Sequence, residues 1–277
     1  MAISNFIPTI WSENLSSALN KKYVAVANCN RDYEGEIRNC GSVVKICGVG
    51  NITVGDYTKN TDMSTPQSLS DTVKELTIDQ AKYFNFQIDD VDKVQSMPKL
   101  LDAAMANAAN TLADAADKYV FSFATQAANT IVNDATTVNN IMDTIIQARQ
   151  RLYEKNVSDS SSVVLEISPA IASLIYKAKL NLSSDNAETL ESGCIGSLGG
   201  CKIFVSNNIE NESEGSTVYY KCMMRTKRSI AFAEQLSEID AYRPEKRFAD
   251  AVKGLHLYGA ALVYPEELVL LDLGVEN

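Results

Sequence analysis

"PKLLDAAMANAANTLADAADKYVFSFATQ", residues 98–126, reads as one long helix. Leu101, Met105, Ala108, Leu112, Ala115 and Tyr119 recur about every 3.5 residues, with alanine on the flanks, which predicts a helix buried along one stripe. Pro98 stands where a first-turn proline is tolerated. At 1.5 Å per residue the helix spans roughly 40 Å. Its small residues let another layer approach closely.

On the N-terminal side, "TVKELTID" and "YFNFQID" alternate apolar and polar residues around "DQAK". This predicts a β-hairpin over 72–96, with Leu76, Ile78, Phe84, Phe86 and Ile88 facing inward. Residues 29–70 are polar and glycine-rich. Val44 and Ile46 read as a strand, Ile52 and Val54 as its return, and Gly48 and Gly50 supply the turn. "TKNTDMSTPQSLSD" adds almost no core residues. A strand pair that cannot bury itself needs another surface to lie on. Before it, Ile10, Trp11, Leu15, Ala18 and Leu19 repeat at helical spacing, Ser12 can cap, and "KKYVAVAN" reads as extended.

On the C-terminal side, "VNNIMDTIIQARQRLYEKN" is an amphipathic helix with Ile141, Ile145, Ala148 and Leu152 on its stripe. "SSVVLEI" is a buried strand, and Ser168-Pro169 opens a second helix. "CKIFVSNNI", "VYYKCMM" and "SIAFAEQ" are strands, and "FADAVKGLHLYGAALVYPEELVLLDL" holds two or three more. Residues 130–228 thus form a compact α/β unit, and the strands after 229 have a partner in the 72–89 segment. The fold class is α+β with two discontinuous lobes.

With 277 residues, 45% of them apolar and 22% charged, the chain is an ordinary globular protein. Its formal net charge of -10 disfavours wrapping phosphate, which rests on Lys and Arg. Lys221, Arg225, Lys227 and Arg228 are read as a solvated edge. "MAISNFIPTIWSE" has neither the basic start nor the apolar run of a signal peptide, and no stretch has the length and apolarity of a membrane helix. The expectation is a chain made in the cytosol, with its six cysteines as thiols.

The search for chemistry is nearly empty. Zinc sites want Cys or His pairs closely spaced. Cys29, Cys40 and Cys47 stand too far apart, Cys194, Cys201 and Cys222 lie distant, and no Cys-x-x-Cys occurs. His256, between Leu255 and Leu257, reads as a histidine on the polar face of a strand. "GCIGSLGG", residues 193–200, matches no phosphate-loop pattern and reads as a loop tip. Asp89, Asp90, Asp92, Glu210, Glu212 and Glu214 stand in solvated stretches, where carboxylates keep ordinary pKa values. No catalytic residue, cofactor or metal is assigned.

In their order along the chain, "IPTIWSENLSSALNKKYVAVANCNRDYEGEI", "GSVVKI", "NITVGDYTKN", "ELTIDQAKYFNFQIDDVDKVQSM", "LLDAAMANAANTLADAADKYV" and "YGAALVYPEELVLL" resemble the major capsid proteins of tailed bacteriophages. The resemblance runs from about residue 6 to 272. It implies a Hong Kong 97-type (HK97-like) capsid fold. Residues 1–28 would be the N-terminal arm and short helix, and 29–71 an extended loop laid over a neighbouring subunit. Residues 72–129 and 229–277 would make the peripheral domain, with 98–126 its spine helix, and 130–228 the axial domain. Assembly contacts are expected at Tyr33, Glu34, Gly35, Tyr57, Lys59, Asp62, Gly196 and Gly199. The resemblance further implies pentamers and hexamers in a virion shell around DNA that it does not bind specifically. No membrane takes part. The shell would be built in the host bacterial cytoplasm, with a portal and a separate scaffolding protein, since no coiled-coil segment precedes the arm. Lys59 and Asn60 lie in the zone where some relatives cross-link, but no motif carries that chemistry here.

Two other readings stand beside this one. An encapsulin-type nanocompartment shell has the same fold and would need a cargo-peptide pocket. A small-molecule enzyme on the 130–228 unit would need a convergent polar cavity with perturbed carboxylates.

Overall fold

Residues 19, 22–34, 42–49, 56, 59–60, 62, 65, 71–89, 100–157, 163–178, 194–198, 201–246 and 248–276 are described in the computed structural model of the chain. The predicted 98–126 helix is realised as α1, Leu100–Phe121, followed by a 3-10 turn, Ser122–Gln126. Its stripe is turned by about one residue from the predicted one. Ala109, Leu112, Ala113, Ala116, Asp117 and Val120 are buried, while Met105, Ala108, Ala115 and Tyr119 are only partly so. The reason is the alanine content. With small residues on several faces, periodicity alone does not mark which face meets the sheet, and α1 seats the alanines that let it come close.

A seven-stranded mixed sheet lies beside α1. It runs in the order β4 (Asn129–Asn133), β12 (Leu268–Glu276), β9 (Thr217–Thr226), β5 (Val163–Ile167), β7 (Cys201–Val205) and β6 (Cys194–Leu198), with β8 (Asn211–Glu214) paired to β9. One face carries α2 (Ile141–Glu154) and α3 (Pro169–Lys177). Ile141, Ile145, Ala148 and Leu152 of α2 form the predicted stripe and pack with Leu165, Ile203, Met224 and Leu271. Ser168 caps α3 by accepting from the Ile171 amide, ahead of Pro169. Alternate residues of β9 and β12 turn the other way. Met223, Leu268 and Leu270 join the α1 core, while Met224, Val269 and Leu271 join the α2 core. Both faces are covered, so the strands read as nearly continuous apolar runs.

Here the structure regroups the C-terminus. The sequence assigns all of 229–277 to the lobe of the 72–89 strands. β10 (Ile230–Tyr242) and β11 (Ala249–Leu262) do join β3 (Gln80–Asp89), in the antiparallel order β10-β11-β3. β12 instead pairs with β4 and β9 in the large sheet. The chain after Pro265 therefore ties the two sheets together.

The remaining strands form an arm. β1 (Val43–Val49) pairs with β2 (Asp71–Thr77), antiparallel from Val43 opposite Thr77 to Val49 opposite Asp71. Two sequence expectations are corrected by this register. Gly48 lies inside β1 rather than in a turn, and the strand that pairs with β1 is 71–77; Gly50, Ile52 and Val54 lie outside the described residues. The 72–96 segment is not a hairpin: β2 pairs with β1 while β3 pairs with β11. Ile78 and Asp79 form a corner between two sheets. The cause is burial. Leu76 and Ile78 sink, with Val44 and Ile46, against Ala231, Ala233 and Leu257. At the crossing, a Cβ on Gly259 of β11 would stand 2.1 Å from the Thr77 carbonyl oxygen, so only glycine admits β2 at this distance. Among the described residues no helix is long and apolar enough to cross a membrane.

Candidate functional site: the arm and the junction at its root

The arm has an inner and an outer face. Val44, Ile46 and Leu76 point to the core, and Tyr33 packs against the same cluster. On the outer face Val43 and Val73 are 47% and 44% exposed, and Lys45 pairs loosely with Glu75. Lys59 and Asp62, in the connection between the two strands, are exposed. Glu34 is spent on an ion pair with Arg31. Gly196 sits within β6, its backbone opposite Ile203, so the stretch read as a loop tip is a strand at that position. Gly35, Tyr57 and Gly199 lie outside the described residues, as does most of the expected N-terminal helix. The structure thus brings Tyr33 and Glu34 to the root of the arm and leaves Lys59, Asp62 and Gly196 apart from it.

That root is held by a buried polar junction. Residues 24–28 make a tight turn, and side chains from α1 and β9 take three of its amides and two of its carbonyls. Asp117 of α1 accepts from the amides of Val24 at 2.9 Å, Ala25 at 3.1 Å and Val26 at 3.0 Å. Arg225 of β9 donates to the carbonyls of Asn28 and Ala25, both at 2.9 Å. Its remaining donors grip Glu166 of β5 bidentately, at 3.0 and 2.9 Å. The Asn28 side chain donates back to the Val24 carbonyl and to Glu166. Arg225 and Glu166 are both wholly buried. Removing one partner of such a pair costs about 3–5 kcal/mol, because the other charge is left uncompensated.

The chain then leaves the turn along β10. Asn30 donates its amide to Ile230 and accepts from Phe232. Four groups converge next to it: Glu234 accepts from the Tyr23 hydroxyl, from Arg31 and from His256 Nε2 at 2.8 Å. Burial alone would raise the Glu234 carboxyl. The His256 hydrogen bond and charge, with Tyr23 and Arg31, outweigh it and hold the group below its usual range. Burial and the Glu234 charge push the Tyr23 hydroxyl up. Burial also lifts the Asp117 carboxyl to about 7, against the pull of its three amides.

Two sequence readings are overturned at this junction. Arg225 is not part of a solvated basic edge; it is the most enclosed cation of the fold's described residues. Lys221 and Arg228 do stay near the surface, on Glu210, Glu212 and Glu267. His256 is not on a polar face; it is 1% exposed. The signal for the first was present: a charge inside "VVLEI" and another inside "CMMRT" are costly unless paired. Nothing in the sequence marks Asp117 as the acceptor among the aspartates of α1.

Cys29, Cys201 and Cys222 are buried free thiols, and burial pushes Cys29 up to about 11 and Cys222 up to about 12. Cys40 and the side chains of Cys47 and Cys194 lie outside the described residues. No group of three or more His, Cys, Asp and Glu among the described residues is arranged to hold a metal ion.

Neither a family model nor a curated protein matches the sequence. Solved structures do. One from Mycobacterium phage Che8 is 28% identical, with 90% of each chain covered and a TM-score of 0.71. The asymmetric unit of the bacteriophage PhiM1 mature capsid is 13% identical over 91% of this chain and 87% of its own, with a TM-score of 0.65. A virus-like particle from Pyrococcus furiosus is 12% identical over 95% and 98%, with a TM-score of 0.55. The last two, at such low identity, show a shared fold. The resemblance read from the sequence is borne out in three dimensions: the chain has the fold of phage capsid proteins along about nine-tenths of its length.

Proposed function

We propose that this chain is the major capsid protein of a phage, a structural subunit that self-assembles into the head shell around double-stranded DNA. The observation that carries the reading is the likeness to phage structures over about 90% of the chain, at a TM-score of 0.71 for the Che8 structure. Structures titled as phage capsids match at TM-scores of 0.65 and 0.66, above the 0.55 of the virus-like particle from Pyrococcus furiosus, so the phage shell is the favoured reading. The role is geometric rather than catalytic: one fold repeated in rings of five and six, held by many weak contacts.

Within that role the elements divide the work. The β1–β2 arm, with the residues between its strands, lies over a neighbouring subunit. α1 and the β10-β11-β3 sheet form the peripheral domain, and residues 130–228 with their sheet form the axial domain, β12 bracing the two. A net charge of -10 suits a shell that encloses DNA without gripping it. A separate scaffolding protein and a portal complete assembly in the host bacterial cytoplasm, and the virion is the final location. The test is negative-stain electron microscopy of the chain expressed with its neighbouring genes. Closed shells of uniform diameter are expected; a soluble monomer under every condition would refute the reading.

A further inference from the structure

α2 carries a buried charge that no carboxylate among the described residues answers. Arg149 is 6% exposed, yet Nε, Nη1 and Nη2 find no hydrogen-bond partner among the described residues. Its guanidinium stacks on the Tyr153 ring at 4.2 Å and lines a cavity of about 390 Å³ together with Met142, Ile146, Gln150 and Cys201. No carboxylate is among the described lining residues. The acid nearest in sequence, Glu154, takes a hydrogen bond from Gln150 instead. Around the mouth, Ile146 and Tyr153 are about half exposed, at 54% and 50%. A buried cation without an acceptor is costly, and a planar guanidinium fork is matched to a carboxylate.

We propose that this cavity receives a carboxylate side chain of a second copy of the chain, with Ile146 and Tyr153 closing over it as an apolar rim. Charge complementarity identifies the occupant: each copy carries 35 acidic against 25 basic residues, so a neighbour brings acceptors in excess. An apolar rim on an acidic chain excludes a nucleic-acid backbone, which would want further cations at the mouth. One copy's cavity meeting a different patch of the next is a heterologous contact, the kind that closes rings. The inference rests on the shell-subunit reading and adds to it the place and chemistry of one contact.

The test compares wild type, Arg149→Met and Arg149→Lys as full chains. Thermal unfolding is followed on unassembled subunits, and assembled yield by sedimentation and electron microscopy. Arg149→Met removes an unanswered buried charge, so its subunit should unfold at the wild-type temperature or above it while assembled yield falls at least tenfold. In assembled Arg149→Lys, a zero-length carbodiimide should join position 149 to an Asp or Glu of an adjacent copy. Arg149→Met that assembles like wild type overturns the inference and leaves the shell reading intact. So does a subunit that unfolds several degrees lower, which would reveal a partner within its own chain, or a cross-link confined to one chain. Wild type that forms no rings or shells removes both readings.

Discussion

At the scale of single residues, Asp117 shows how the junction couples stability to pH. Its carboxyl is raised to about 7 in the folded chain, chiefly by burial, from an ordinary value of 3.8. A raised carboxyl binds its proton more tightly folded than unfolded. Its contribution is therefore fully present below about pH 4 and is lost as pH rises through about 7. Glu234, held low, acts in the opposite sense and in a lower window: its contribution is present above the ordinary glutamate range and lost as pH falls through its folded value. Between about pH 4 and 7 Asp117 contributes a falling slope. Urea unfolding of the subunit should show stability falling across that interval by a few kcal/mol, on the order of the shift multiplied by 1.36 kcal/mol per unit. Asp117→Asn should flatten the slope while costing about 1–3 kcal/mol, since one amide of the 24–26 turn loses its acceptor. A wild-type slope that rises, or one unchanged in the variant, would show that another group titrates. The residue scale is also where sequence reading fell shortest. In sequence, His256 reads as lying on the polar face of a strand and Arg225 as part of a solvated basic edge. Their burial depends on Glu234 and Glu166, partners separated from them by 22 and 59 positions, which no local pattern reveals.

At the scale of elements, the strongly periodic segments were legible and their pairing was not. α2 buries the four residues its stripe named, and β5 is buried throughout, as its apolar run implies. The 72–89 segment failed for a definite reason. Two alternating strands with a short link look like a hairpin, and only the docking of Leu76 and Ile78 on β10 and β11 makes the link a corner. Gly259 is the other half of that corner. Gly259→Ala would thrust a Cβ against the Thr77 carbonyl and the Ile78 Cα, both backbone atoms that cannot swing aside. We expect a loss of about 1–3 kcal/mol from overpacking. Hydrogen exchange should locate it: amides of 72–78 exchange faster in the variant, while those of β12 keep their protection. Uniformly faster exchange would place the strain in the sheet rather than at the corner.

At the scale of the whole molecule, the arm leaves part of its apolar surface uncovered by the described residues. Its inner face ends in the Val44, Ile46, Leu76 and Ile78 cluster, so the root is stable on its own subunit. Its outer face exposes Val43 and Val73 and holds one loose ion pair, the kind worth at most about 1 kcal/mol. If the neighbour supplies the missing cover, the reach of the arm should matter to assembly and not to folding. The register allows a clean test, because Val49 and Asp71 already stand opposite each other. Replacing residues 50–70 with Asn-Gly closes the pair with a two-residue turn of the favoured hairpin type. The shortened subunit should unfold within a few degrees of wild type, since the clusters under α1, α2 and the arm root are untouched. Electron microscopy should then find no closed shells, only subunits or isolated rings. Shells of normal diameter from this variant would remove the arm from the assembly mechanism. Loss of folding would show instead that the segment between the strands supports its own subunit.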